Sequence, residues 1–395
     1  MTFAQLAASL GIEKYPEALE AIYAEYLAGA TVPFDRALID RHQKERALFG
    51  DFYDAVVAGF EDLVAKPEAY AYAAVGAMYL QRVGQPDAKK FILPKPDGSP
   101  ALDMLGVLVL LPMVDHGLAE YQRRGTDPEE AEKAMRVFVG DIRINIRRYG
   151  RPGLDQLYFN WITLIVYAVL FNAGPYKFNL NYTGNYYVLE NISDGSLAVL
   201  VHGATVHRCG KILGSVGLTD PEGSFPIQVT ETDTEWTGYP PTPEGLIENR
   251  LCHYPKDQWR LRVQPGDCVL AMHIPGGAGL DTAVARASIR EAFLHTQKYY
   301  ADYAPKALQC SSWLLNPELK QILGEDSNIV RFGTLFTLYP VKCGGTGVFN
   351  FVFKSAVNPD LATLPEDTRL QRALKAKLLS GGHHHNFGGF LLPEL

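Results

Sequence analysis

The sequence lacks any apolar run long enough to cross a membrane. Its longest apolar runs, at 104–114 and 161–171, reach about half of the ~20 residues that a spanning helix needs. It also lacks a run of Lys and Arg: the net charge is −7, and the densest basic stretch, 147–151, is short. We therefore expect two core helices at the apolar runs, and neither a membrane nor a nucleic acid as a partner.

Cysteine is scarce and follows no known pattern. The five cysteines are too widely spaced for a zinc ribbon or a CxxC redox pair, and their number is odd. Residues 1–20 have the pattern of an acidic helix, whereas a signal peptide would have a basic start and then an apolar run. These features predict reduced thiols and a cytoplasmic protein. Three adjacent histidines at 383–385 would point to alternating sides of an extended chain, so we interpret them as a polar loop and expect no metal.

Alternating β-branched residues are missing from the first 175 positions. Segment 34–65 instead repeats apolar residues every three or four positions, and segment 126–150 has a Thr/Asp start and a Gly stop, as helices do. Aromatic and β-branched runs follow, separated by Gly and Pro. They predict an α+β protein, with a helical N-terminal domain at 1–175 and a mixed α/β domain at 176–395. Within the second domain the pattern predicts these late elements: strands at 328–341 and 347–355, a helix at 367–379, and then a Gly/His tail.

One stretch combines a strand, a Gly-rich corner and a helix. Residues 269–274 have the pattern of a buried strand, GGAG follows at 276–279, and a helix begins near Asp281. Such a corner lets main-chain N–H groups and the helix N-terminus approach a phosphate. Arg286 and Arg290 favour this interpretation, and Asp281 opposes it by its charge. A plain strand-to-helix turn remains the alternative.

Three stretches carry a resemblance to a known family: HIPGGAGLD, CSSWLLNPELKQILGEDSNIVRF and LPEDTRLQRAL. Together they resemble a bacterial group of acyltransferases that join a helical N-terminal domain to a GNAT-like C-terminal domain. The resemblance implies a central, largely antiparallel sheet, with acetyl-CoA or another acyl-CoA as co-substrate. The residues it places at the CoA are Ile274, Gly276, Gly277, Ala278, Gly279, Arg286, Ser311 and Asn316.

Amine acylation by direct attack needs a base and an acid. His273, at the end of the predicted CoA strand, and Glu235, in the acidic run TETDTEW, are candidate bases, and Tyr339 is the candidate acid. Each has a structural alternative: a hydrogen-bonded strand end, a solvated edge strand and a core aromatic residue. The helix after the strand at Cys310 lacks the Tyr usual in GNAT enzymes, so a catalytically inactive ligand-binding or interaction module remains an alternative. Cys310 itself is expected to be a buried, inert thiol.

The composition of segment 176–260 bears on the acceptor. Aromatic residues are frequent in segment 176–260, where they stand among Glu190, Asp233 and Glu235. Rings and carboxylates together suit a cationic small molecule, which predicts a small amine as acceptor, although many of these rings would fill an ordinary β core. The stretch VQPGDCVLAMHIPGG also resembles a cupin turn, but His202 and His207 have the wrong spacing for the metal ligands of a cupin.

Overall fold

The computed structural model describes residues 1–356 and 358–393. Its chain divides into two compact units, Met1–Leu170 and Phe171–Leu395.

The first unit is built from helices. Their bounds are α1 Phe3–Ser9, α2 Ala18–Leu27, α3 Arg36–Arg46, α4 Tyr53–Val64, α5 Pro67–Leu80, α6 Gln85–Ala88, α7 Pro100–Leu110, α8 Val114–Arg123, α9 Pro128–Met135, α10 Val137–Tyr149 and α11 Gln156–Val166. The helical stretch Pro100–Arg123 has the length and apolarity of a membrane span, but 72% of its most apolar window is buried inside the protein. It is a core element, as is α11, whose apolar face from Phe159 to Val166 is buried.

Local signals mark the ends of the helices in this unit. Asp127 accepts hydrogen bonds from the first amides of α9, and Gly150 ends α10 in a left-handed conformation. The single helix predicted at 126–150 is in fact two, because the chain turns at Arg136 between α9 and α10. The predicted start and stop are therefore confirmed, and the predicted continuity is wrong.

The second unit contains the strands and four further helices. The strands are β1 Leu170–Ala173, β2 Tyr176–Tyr182, β3 Tyr186–Asn191, β4 Leu197–Val201, β5 Ala204–Val206, β6 Phe225–Ile227, β7 Thr230–Glu231, β8 Glu235–Gly238, β9 Cys252–Pro255, β10 Trp259–Val263, β11 Cys268–His273, β12 Leu308–Ser312, β13 Thr337–Pro340 and β14 Phe387–Leu391. The helices are α12 Thr282–Tyr299, α13 Leu319–Leu323, α14 Asn328–Gly333 and α15 Arg369–Leu379.

A six-stranded sheet in the order β1-β2-β11-β12-β14-β13 forms the centre of this unit. β11 and β12 are parallel and are connected through α12, while the β2–β11, β12–β14 and β13–β14 pairs are antiparallel. One face packs on the sheet β10-β3-β4 through a cluster that includes Val188, Val199 and Tyr339. The opposite face carries Phe178, which stacks on Phe171, and Phe171 in turn stacks on His295 of α12. The predicted α+β class with a largely antiparallel sheet is confirmed.

Three late elements differ from the prediction. The predicted strand 328–341 is helix α14 followed by the short β13, and the predicted strand 347–355 is a π-helical turn at Val348–Phe353. The predicted Gly/His tail enters the sheet as β14, between β12 and β13. Two glycines make this possible. A Cβ at Gly388 would lie 2.2 Å from the Tyr339 ring, and a Cβ at Gly389 would lie 2.6 Å from the side chain of Phe336.

Candidate active site

Parallel strands β11 and β12 stop pairing before their C-terminal ends. Their register pairs are only Leu270–Leu308 and Ala271–Gln309, although β11 continues to His273 and β12 to Ser312. The Leu270 N–H donates to the carbonyl of Ala307, so by the alternation of a parallel ladder Met272 is the next residue whose main-chain groups face β12. We refer to this gap in the ladder, at the carboxyl ends of two parallel strands, as the cleft; such strand ends are a common place for ligands in α/β sheets.

His273 stands at the opening of this cleft and contacts Asn179 of β2. Its Nε2 lies 2.6 Å from Asn179 Oδ1. Asn179 is buried, and its own Nδ2 donates to the carbonyl of Leu180 at 2.8 Å. The strand register explains the contact, because Asn179 lies opposite Ala271 and His273 lies opposite Lys177, so the four side chains share one face of the sheet.

The same face continues across β12 to Tyr339. Ser311 pairs with Gly388, and Gly388 pairs with Tyr339, so these positions form one row with His273. Ser311 is exposed at the end of β12. Gln309 Nε2 donates to the Tyr339 hydroxyl at 2.7 Å. Tyr339 is fully buried; burial first, and then the neighbouring Tyr186, raise its pKa well above the usual value. In the order β11-β12-β14-β13, three inter-strand spacings of ~4.8 Å lie between β11 and β13. The backbones of His273 and Tyr339 are therefore about 14 Å apart.

The Gly-rich corner lies directly beyond His273. Gly277 has a φ of +87°, which accounts for glycine there. Gly276 and Gly279 need no such conformation, and a Cβ at either would meet no atom of the protein within 4 Å. Tyr176 donates from its hydroxyl to the carbonyl of Gly279 at 2.6 Å and so anchors the corner. Packing within the chain therefore does not explain Gly276 and Gly279, whereas a ligand close to the main chain would.

The start of α12 is capped by its own chain. Asp281 accepts hydrogen bonds from the amides of Ala283 and Val284, as the N-cap alternative predicts. Those two amides are consequently engaged within the start of the helix. Arg286 and Arg290 line a cavity of about 70 Å³ beside Leu391, at the end of β14.

Ile274 and Ala278 complete the corner. Ile274 is half-buried after the last residue of β11. The Ala278 N–H donates to the carbonyl of Pro275 at 3.1 Å, which closes a tight turn over the two intervening glycines.

Glu235 lies on a different sheet from His273 and Tyr339. It belongs to β8 of the three-stranded sheet β7-β8-β9, and its carboxylate lies 3.1 Å from Nδ1 of His253. Trp236 beside it is buried in an apolar cluster with Leu189 and Tyr254. Glu190, the third acid of the predicted acceptor region, forms ion pairs with two arginines of β10. Trp236, Glu190 and Glu235 therefore each contact other residues of the segment between β2 and β11.

Asn316 belongs to a buried polar cluster with the histidine run. Its Nδ2 donates to the carbonyl of His385 at 2.9 Å, and its Oδ1 accepts from the N–H of Glu318. Although burial alone would raise it, hydrogen bonds from Lys211 and Lys377 lower the pKa of Glu318 to about 2. The sequence PELKQILG predicts a helix from Pro317 with Asn316 as its N-cap, but the helix begins at Leu319, so Asn316 caps a turn and ties the C-terminal segment to the end of β12.

One further feature has a structural character. Cys310 is fully buried on β12, and burial raises the pKa of its thiol to about 12, which makes it a poor nucleophile.

A second cavity, of about 550 Å³, lies at the β13 edge of the sheet and outside the β11–β12 gap, with walls that include Leu314, Ile329 and Leu338.

Sequence reasoning missed Asn179 and Gln309. Asn179 alternates with apolar residues in KFNLNY, a polar position in an otherwise buried strand, and this was the available signal. Gln309 similarly stands between the buried residues Leu308 and Cys310 of β12. Neither position identifies its partner, because the partners lie 94 and 30 residues away along the chain.

Comparison with known proteins agrees with this architecture. The family described as the GNAT-like C-terminal domain matches residues 175–391, more than half of the chain. An acyltransferase mutant solved with octanoyl-CoA is similar over 100% of both chains, with a TM-score of 0.64 and 19% identity. An acyltransferase solved with decanoyl-CoA and teicoplanin is similar over 100% of both chains, with a TM-score of 0.62 and 18% identity. At such identities the likeness establishes a shared fold. No functionally curated protein matches the sequence. By its sheet, its cleft and this match, the chain belongs to the family with a GNAT-like C-terminal domain.

Proposed function

We propose that this protein is an acyltransferase that moves an acyl group from acyl-CoA to the amine of a small acceptor. The observation that carries the proposal is the cleft in which β11 and β12 part after Ala271 and Gln309, next to a corner whose Gly276 and Gly279 face open space. Pantetheine would pair with the main-chain edge of β11 that faces β12, as the family resemblance implies. The pyrophosphate would lie against the amides of Gly276, Gly277 and Gly279, which carry no side chain.

In this proposal His273 is the base. The acceptor nitrogen forms a C–N bond with the thioester carbonyl, the C–S bond breaks, and the amide and the CoA thiolate are the products. The proton leaves the nitrogen for His273 and is finally returned to the sulfur. Tyr339 would act as the acid only through movement of its surroundings, because it is fully buried, and Glu235 would need to approach from its separate sheet.

The acyl donor is proposed to include chains longer than acetyl. The two similar structures were solved with octanoyl-CoA and decanoyl-CoA, which supports testing these donors beside acetyl-CoA. One of them also contains teicoplanin, which is in keeping with a small-molecule acceptor. For this chain we propose a small amine, acylated in the cytoplasm.

The test separates binding from turnover. Calorimetry with CoA and decanoyl-CoA on the whole protein should show binding, and no heat at millimolar ligand would refute the CoA site. Release of free CoA from acetyl-, octanoyl- and decanoyl-CoA should then be followed across a panel of small amines. Binding without CoA release for any donor and amine would favour the inactive ligand-binding module over the enzyme.

A further inference from the structure

We propose that the cavity at the β13 edge is a second ligand site, which takes a small molecule with an aliphatic chain and a cationic head. The site is separate from the cleft between β11 and β12. The inference therefore goes beyond the acyl transfer proposed above and does not depend on it. All the residues that carry it belong to the second unit.

The cavity has the volume and the walls of a small-molecule site. Its volume of about 550 Å³ lies within the range of about 300–1,000 Å³ that ligand pockets occupy. The walls come from Leu197 of β4, the loop at 241–244, the segment 314–320 after β12, and residues 329–338 of α14 and β13. Most of the side chains in these walls are aliphatic or proline, so an aliphatic chain placed there would leave water.

The order of the strands separates this cavity from the cleft. β14 lies between β12 and β13, so two inter-strand spacings of ~4.8 Å put β13 about 10 Å beyond β12. Among the described residues that line the cavity, none belongs to β11 or to the Gly-rich corner. A small molecule in this cavity would therefore leave the cleft free for another ligand.

Gly333 is a wall residue that packing within the chain does not explain. It is the last residue of α14, its φ is not left-handed, and a Cβ there would meet no protein atom within 4 Å. Glycine is among the least favourable residues in a helix, so local structure alone would favour a residue with a side chain. Close approach of a ligand to the main chain gives glycine a role at this position.

The charges of the cavity favour a cation. Among the described residues that line it, Glu244 and Lys320 carry the charges. Lys320 already has a partner, because its Nζ lies 2.8 Å from Oε1 of Glu325. Glu325 first, and Glu244 after it, raise the pKa of Lys320. The exposed Glu244 carboxylate forms no hydrogen bond or ion pair within the described chain. Two carboxylates around one ammonium leave an excess of negative charge, which attracts a cationic head and opposes a carboxylate.

The direct test is calorimetry with decyltrimethylammonium on the whole protein. This probe has an aliphatic chain and a fixed positive charge, and its nitrogen cannot be acylated, so it cannot be consumed as an acceptor. It should bind the wild type. Octyltrimethylammonium, which is two methylenes shorter, should bind about 10-fold more weakly. Decanoate, with a similar chain and the opposite charge, should bind about 5-fold more weakly.

Four variants locate the binding. Gly333→Leu and Ile329→Trp place new side chains at the cavity and should weaken binding of decyltrimethylammonium by about 10-fold or more. Gly140→Leu is the matched control, because Gly140 is also a helical glycine with open surroundings, in α10, and this variant should bind the probe as the wild type does. Glu244→Gln should weaken binding by about 2-fold to 5-fold.

Three results would overturn the second site: no binding of the probe at millimolar concentration, tighter binding of decanoate, or unchanged affinity in both Gly333→Leu and Ile329→Trp. Competition with decanoyl-CoA adds a check, because displacement of the probe together with unchanged affinity in these two variants would place it in the cleft. If the wild type binds the probe but not CoA, the proposed function fails and this site remains.

Discussion

Replacing Gly276 with alanine is the sharpest test of the proposed pyrophosphate site. Gly276 has no left-handed φ, and a Cβ there would meet no protein atom within 4 Å, so the folded protein accommodates it. Replacing a glycine by alanine under such conditions stabilises the protein by about 0.4–1 kcal/mol, because the unfolded chain has less conformational freedom. We therefore expect Gly276→Ala to be at least as stable as the wild type.

The same methyl group should weaken CoA binding. If the amides of Gly276, Gly277 and Gly279 contact the pyrophosphate, the Cβ stands in the space the phosphate needs and displaces at least one hydrogen bond to a charged group. Such a bond contributes about 1.5–3 kcal/mol, which corresponds to an increase in the Kd for CoA of about 10-fold to 150-fold. Gly279→Ala should behave alike, since its surroundings are equally open.

Calorimetry with CoA measures this effect, and two controls isolate it. Gly344→Ala is a matched variant, because Gly344 also has open surroundings and no left-handed φ but lies outside the corner. Acyl-pantetheine, which lacks the pyrophosphate, should be used by Gly276→Ala with the kcat/KM of the wild type. An unchanged Kd for CoA in both Gly276→Ala and Gly279→Ala would show that the corner does not hold the phosphates.

Three further predictions concern stability and reactivity. Burial lowers the pKa of His42 to about 4 from an unfolded value near 6.5, so its contribution to the free energy of unfolding is complete above pH 6.5 and is lost as the pH falls toward 4. Denaturant titrations at pH 7.5 and 4.5 should show that the free energy of unfolding falls by about 2.5 kcal/mol less in His42→Leu than in the wild type. An equal fall in both proteins would contradict the assignment. Gly388→Ala should destabilise the protein by about 1–3 kcal/mol, since its Cβ would lie 2.2 Å from the Tyr339 ring, and an unchanged Tm would refute that packing. A thiol reagent should modify the exposed Cys209 in the native protein and reach the buried Cys310 only in denaturant, and fast native labelling of Cys310 would disprove its burial.

Much of the local structure could be predicted because its causes lie within a few residues. The Asp281 cap, the capping box of Thr368 and the Gly150 stop each depend on contacts between near neighbours in sequence. The strand, corner and helix from 269 onward follow from the same rules, and so does the change from helices to strands near 175. These signals, with the family resemblance, were sufficient for the α+β class and for the GNAT-like domain.

The arrangement of the site depended on tertiary structure. No local pattern places β14, from a glycine-rich tail, between β12 and β13, because that position depends on the fit of Gly388 against Tyr339. Helix α14 likewise forms in a segment whose apolar residues equally suit a strand. The contact of His273 with Asn179 requires the register of β2 on β11, across 94 residues of sequence. The sequence alone determined which residue types and local turns were available, whereas the pairing of strand edges, set by packing over long separations, decided which of them meet at the cleft.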